Sequence, residues 1–156
     1  MLVLPNRPQH TATWGAAARA TLHCLTGCAI GEVLGMVIGT ALGLGNGLTV
    51  VISVALAFVF GYALTMRGVL RAGLAFRAAL EVAFAADTMS IAVMEIVDNV
   101  VIVTIPGAMD ASLTQALFWL SLALSLVIAC TLTTPVNKWM IARGKGHAAV
   151  HHFHHS

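Results

Sequence analysis

A chain of 156 residues that is 59% hydrophobic and 9% charged, with a mean hydropathy of +0.92, lies far outside the composition of a water-soluble domain and describes an integral membrane protein. Its length suits one bundle of a few helices and leaves no room for a second globular domain. Three cysteines, all within apolar runs, do not make a secreted disulfide framework, and no hydrolase triad, phosphate-binding loop or nucleic-acid surface is legible.

In chain order, residues 1–18 read as a cytoplasmic N-terminal segment, 19–137 as a transmembrane domain, and 138–156 as an interfacial helix extension with a His-rich cytoplasmic tail. The small residues of WGAAARA, 14–20, precede the first apolar run, so a cleavable signal peptide is not expected. Four runs are long enough to cross a bilayer: Ala20 to Leu44, Leu48 to Met66, Ala78 to Ile105 and Ser112 to Thr134. The breaks GLGNG, RGVLRAG and PGAMD between them are short, which makes neighbouring helices antiparallel. The predicted fold is therefore all-α, an integral membrane bundle of four transmembrane helices. Arg7, Arg19, Arg67, Arg71, Arg77, Lys138, Arg143 and Lys145 all fall on one side of this arrangement, and the positive-inside rule puts that side, with both termini, in the cytoplasm. Trp14 and Trp139 stand at the same boundary and Trp119 towards the other.

Along the first span Gly27, Gly31, Gly35, Gly39 and Gly43 recur every four residues. A face without side chains lets another helix approach closely, a main source of association energy in lipid. The stripe is expected to pack against the third span or against a second copy in a homo-oligomer. Beside it runs a second stripe at the same spacing, Cys24, Cys28, Glu32 and Met36, with His23 at the head of the glycine row.

The third span holds Glu81, Asp87, Glu95 and Asp98, with Met89 and Met94 among them. Carboxylates in hydrocarbon cost about 2.5–3.5 kcal/mol each on insertion scales and face a bundle interior by default. At 100° per residue Asp87, Met94 and Asp98 share one face, with Glu95 beside it. Counting from the flanking basic residues places Cys28, Asp87 and Cys130 at one depth, roughly 12–15 Å from the inner boundary. A polar path through the bundle follows, with thiols and histidine inside and carboxylates outside.

Ligand softness suggests what occupies that path. Thiolate, thioether and imidazole suit Cu(I) or Zn(II), and carboxylates suit harder cations. The expected ligand set is His23, Cys24, Cys28, Glu32, Met36, Asp87, Met94, Glu95, Asp98 and Cys130, for copper before zinc or iron, in a protein that binds the metal and transports or delivers it. His147, His151 and His155 would collect metal at the mouth of the bundle, or bind anionic headgroups as a basic tail. Proton or cation permeation along the carboxylates without a metal is the rival reading. A structural assembly module leaves the carboxylates unexplained, and a thiol redox protein would put its cysteine pair on the reducing side. Expected partners are the lipid bilayer, further copies of the chain and a metal donor or acceptor protein. No residue is assigned a catalytic role.

The blocks TLHCLTGCAIGEVLGM, ADTMSIAVMEIVDN and ARGKGHAAVHHFHH resemble a family of small prokaryotic four-helix membrane proteins catalogued as domain of unknown function 4396. The resemblance covers the chain from about Trp14 onward. It implies a multi-pass protein of the bacterial or archaeal inner membrane, and marks His23, Cys24, Cys28, Gly31, Glu32, Asp87, Met94, Glu95, Asp98 and Asn99 as motif positions. It carries no accepted activity.

Overall fold

The computed structural model describes residues 13–143. Among them the chain forms four α-helices, α1 (Trp14–Leu42), α2 (Asn46–Arg71), α3 (Phe76–Thr104) and α4 (Ala116–Ala142), with a single 3-10 turn at Ala108–Asp110 and no strand. The expected N-terminal segment before Thr13, and the tail with His147, His151 and His155, lie outside the described residues.

Local chemistry sets the helix ends. Thr13 caps α1 by accepting the Ala16 N–H at 3.1 Å, so the helix begins earlier than the apolar run. Gly43 ends it in the left-handed region at φ 63°, its N–H returned to the carbonyls of Gly39 and Thr40. At the start of α4, residues 112–115 form a turn in which the Ser112 N–H donates to the Gln115 side chain. Trp119 Nε1 fastens that turn by donating to the Leu113 carbonyl at 2.9 Å. Helix α4 then continues through Pro135 to Ala142. A proline inside a transmembrane helix is tolerated where neighbouring helices and hydroxyls serve the freed backbone groups, and α4 runs unbroken past the end of the apolar run at Thr134.

Helices α1 and α2 form the most extensive pair. They run antiparallel in a register that sets Gly27 on Gly61, Gly31 on Ala57, Gly35 on Ser53 and Gly39 on Thr49. A Cβ on Gly31 would stand 2.6 Å from the Ala57 Cα, and one on Gly27 2.8 Å from the Gly61 Cα. Neither backbone can retreat without separating the helices. The glycine stripe therefore packs against α2 of the same chain, which corrects the expectation that it packs against the third span. Gly43 is corrected as well: a Cβ placed there would meet no neighbouring helix within 4 Å, and it serves as a helix cap.

Across the bundle α3 runs parallel to α1 and antiparallel to α2 and α4, to judge from the Cys24–Asp87, Tyr62–Thr88 and Asp98–Ser125 pairs. The interior is built from small and polar side chains, among them Ala17, Ala57, Ala83, Ala129, Ser90 and Thr133, whereas Leu22, Val51, Val59, Leu120, Leu124 and Val127 are exposed. That inversion suits a lipid solvent, in which large apolar side chains gain nothing by turning inward. The described basic residues gather at the end where α1 starts and α4 stops. There Lys138 Nζ lies 4.5 Å from the Trp14 ring and the Arg143 guanidinium 5.0 Å from the Trp139 ring.

Three helices, α1, α2 and α4, are long and apolar enough to cross a membrane. The expected fourth, α3, is equally long but is not among them, because Glu81, Asp87, Glu95 and Asp98 are spread along it.

Candidate functional site

The acidic helix turns its carboxyls inward. Asp87, Glu95 and Asp98 are 0%, 4% and 1% exposed, while Phe76, Phe84, Met89, Ile96, Val100 and Val103 face outward. Glu81 is exposed near the start of the helix, outside the buried set. The period of 3.6 residues places 87, 91, 94, 95 and 98 on one broad face, and all five are buried.

From the end bearing the basic residues, the buried polar groups follow one another along the bundle axis. Thr21 Oγ1 comes first, accepting hydrogen bonds from Asn137 Nδ2 at 2.8 Å and Thr134 Oγ1 at 3.2 Å. One turn deeper the Cys24 thiol donates to Asp87 Oδ1 at 3.9 Å, with Ser90 beside it. Cys28 comes next and neighbours the Glu95 carboxyl. Glu95 in turn adjoins Glu32, and Glu32 faces Asp98. Ser125 Oγ donates to Asp98 Oδ1. Cys24, Cys28 and Met94 share a buried cluster with Ala57, Ile91 and Ala129.

Glu95 is served least well. Neither of its carboxyl oxygens completes a well-formed hydrogen bond, although the Cys28 thiol and the Glu32 carboxyl stand next to it. Glu32 Oε1 and Asp98 Oδ2 are likewise buried without a partner. The groups around these three carboxyls are thiol, hydroxyl and carboxyl, with no basic side chain. A carboxyl so placed needs a proton, a cation or water to offset its desolvation.

Beyond Glu32, at the end away from the basic residues, lies a cavity of about 130 Å³. Glu32 and Met36 line it from α1, Thr49 and Ser53 from α2, Asn99 from α3 and Ser121 from α4. Asn46, at its rim, donates to Asp110 Oδ1 at 2.8 Å and so ties the α1–α2 connection to the α3–α4 connection.

The expected ligand set is thus divided. Cys24, Cys28, Glu32, Asp87, Met94, Glu95 and Asp98 fall on the α1–α3 seam. His23, in phase with the glycine row, pairs through Nε2 with Thr65 Oγ1 on α2 at 3.0 Å. Cys130 is half-buried on α4, where Ala129 fills the cluster position instead. Among the described residues no three His, Cys, Asp or Glu side chains converge on a point that would hold a metal ion. The hydroxyl and amide partners went unread in the sequence: Ser90, Ser125, Thr21 and Asn137. Their signal was present, since Ser121, Ser125, Ala129, Thr133 and Asn137 recur every four residues and are all buried.

A family described as a domain of unknown function, DUF4396, matches residues 13–146. No curated protein and no solved structure matches the chain.

Proposed function

We propose that this chain, which belongs to the DUF4396 family, is a membrane transport protein that moves protons, or cations against protons, through its buried carboxyls. The observation that carries the reading is Glu95, 4% exposed, with neither oxygen in a formed hydrogen bond and with a thiol on one side and a carboxyl on the other. Groups that exchange protons in small steps are what a relay needs, and intramembrane carboxyls mark such pathways. A proton reaching Glu32 from the cavity is within one transfer of Glu95, and Cys28, Cys24 and Asp87 continue the row towards the basic end.

In this reading α3 crosses the membrane with its three neighbours. Asp87, Glu95 and Asp98 are turned inward while Phe84, Met89, Ile96, Val100 and Val103 face outward, so most of the acidic residues that set α3 apart belong to the seam and not to the surface lipid would meet. The end bearing Arg19, Arg67, Arg71, Arg77 and Lys138 faces the cytoplasm of a prokaryotic cell by the positive-inside rule. The test is voltage-driven proton uptake by proteoliposomes, which Glu95→Gln is expected to abolish.

A second reading, binding and delivery of a soft metal such as copper, is favoured by the common burial of Cys24, Cys28 and Met94. In the described arrangement no third thiol or imidazole completes such a site, so loading would require rearrangement of α1 against α3. Elemental analysis of protein freed of its histidine tail tests it. Copper or zinc that is bound stoichiometrically and lost in Cys24→Ser/Cys28→Ser supports the reading, and a metal-free wild type after anaerobic loading removes it.

A further inference from the structure

The cavity beyond Glu32 has a lopsided chemistry. Several of its polar groups already donate within the protein and keep oxygen lone pairs free. Asn99 Nδ2 donates to the Glu95 carbonyl at 2.8 Å and Asn46 Nδ2 to Asp110. The Thr49 hydroxyl donates to the Gly45 carbonyl, and that of Ser121 to Leu117. The Thr49 and Ser121 hydroxyls then have only oxygen lone pairs left, and each amide keeps its carbonyl oxygen and one N–H. Among the described residues Glu32 adds the one carboxyl in the lining, with Oε1 buried and in no formed hydrogen bond, and no Lys, Arg or His side chain lines the space.

We infer that this cavity binds a small monovalent cation, and that the cation exchanges there with a proton on Glu32. The inference rests on the proposed function and adds to it the substrate class and the residue at which the two fluxes meet. A single carboxyl neutralises one positive charge. A divalent ion held by the same lining would leave one charge uncompensated by the protein. The volume, about 130 Å³, exceeds the roughly 30 Å³ share of one water, so the cation can keep part of its hydration shell while oxygens replace the rest.

Glu32 belongs both to the lining and to the carboxyl row, so occupation by a cation and protonation from Glu95 exclude each other. The titratable groups facing it are Asp98 and Glu95 on α3, and Cys28, one turn earlier on its own helix, neighbours Glu95. From α2, Tyr62, Arg67 and Arg71, and from α4, Cys130, Lys138 and Arg143, belong to the opposite half of the bundle, where Tyr62 meets Thr88 and Lys138 meets Trp14. Asp110 is held at the rim by Asn46. Proton and cation compete for one carboxyl, so apparent cation affinity falls as pH falls.

The experiment is to titrate full-length protein in weakly buffered detergent solution with sodium, potassium or methylammonium chloride and to follow released protons with an indicator dye. Choline chloride controls for ionic strength. Saturable proton release by at least one of the three cations is expected, the methylammonium arm separating ammonium-type ligands from alkali ions. Release should be lost in Glu32→Gln and in Ile102→Trp, which fills the cavity and keeps the carboxyl. Release at the wild-type level in both variants, or none from the wild type with any of the three, overturns the cation site. Proton flux in proteoliposomes reports separately: flux that Glu95→Gln removes, without cation-linked release, defeats this inference and leaves proton conduction standing. Wild-type flux in Glu95→Gln defeats the proposed function itself.

Discussion

Glu95 and Asp98 lie one turn apart on α3, yet only Asp98 has a dedicated donor, the Ser125 hydroxyl. Removing that donor leaves a buried carboxyl oxygen unserved, at a cost of about 1–3 kcal/mol. Ser125→Ala should therefore lower the thermal unfolding temperature in detergent, and Ser125→Thr, which restores a hydroxyl, should recover most of the loss. An alanine variant as stable as the wild type would show that the contact contributes nothing to stability. The spacing of Asp87, Met94, Glu95 and Asp98 was enough to put them on one inward face, because a 3.6-residue period leaves no other arrangement. Their partners were hidden because serine and threonine in a lipid-embedded helix so often turn back on their own carbonyl, as Thr26 does to Leu22 and Thr131 to Val127. A hydroxyl in such a sequence carries little weight until a neighbouring helix is in place.

At the scale of the element, the glycines of α1 divide into two kinds. Gly31 meets backbone across the α1–α2 seam, whereas Gly43 meets nothing and is required only by its positive φ. Gly31→Ala forces the two helices apart and should cost about 1–3 kcal/mol, as overpacking does. Gly43→Ala meets only local strain, about 1 kcal/mol. Thermal unfolding of the two single variants should rank them in that order, and the reverse ranking would contradict the register described. The stripe itself was plain in the sequence. Its partner was not, because the complementary row on α2, Thr49, Ser53, Ala57, Gly61 and Thr65, mixes residue types and hides a period of four that is obvious once the helices are laid together. The position of His23 follows from the same phase. It stands four residues before Gly27, in phase with the glycine row, and pairs with Thr65 on α2.

For the whole molecule, three helices are long and apolar enough to cross a membrane, and the proposed function requires that α3 cross as well. Single cysteines at exposed connection residues, Ala75→Cys between α2 and α3 and Thr114→Cys between α3 and α4, should then react with a membrane-impermeant thiol reagent from opposite sides. Reaction of both from one side would mean that α3 does not span. A count of charged residues along a helix takes no account of the face they occupy: Asp87, Glu95 and Asp98 of α3 are buried, while Phe84, Ile96, Val100 and Val103 are exposed. The all-helical bundle was legible because runs of about 20 apolar residues admit few other folds. The site was legible only in part, since which seam each face joins depends on register, and register is set by close backbone approach that no single residue announces.

The central claim is that protons move through the bundle by way of Glu95. Its most direct test is the full-length protein in potassium-loaded proteoliposomes with an entrapped pH dye, polarised inside-negative with valinomycin, wild type beside Glu95→Gln and protein-free vesicles. The account predicts rapid acidification of the wild-type lumen, and a Glu95→Gln trace that falls to the protein-free baseline although the variant is reconstituted and folded to the same extent. Equal acidification by wild type and Glu95→Gln, or a wild-type trace no faster than empty vesicles, would contradict it.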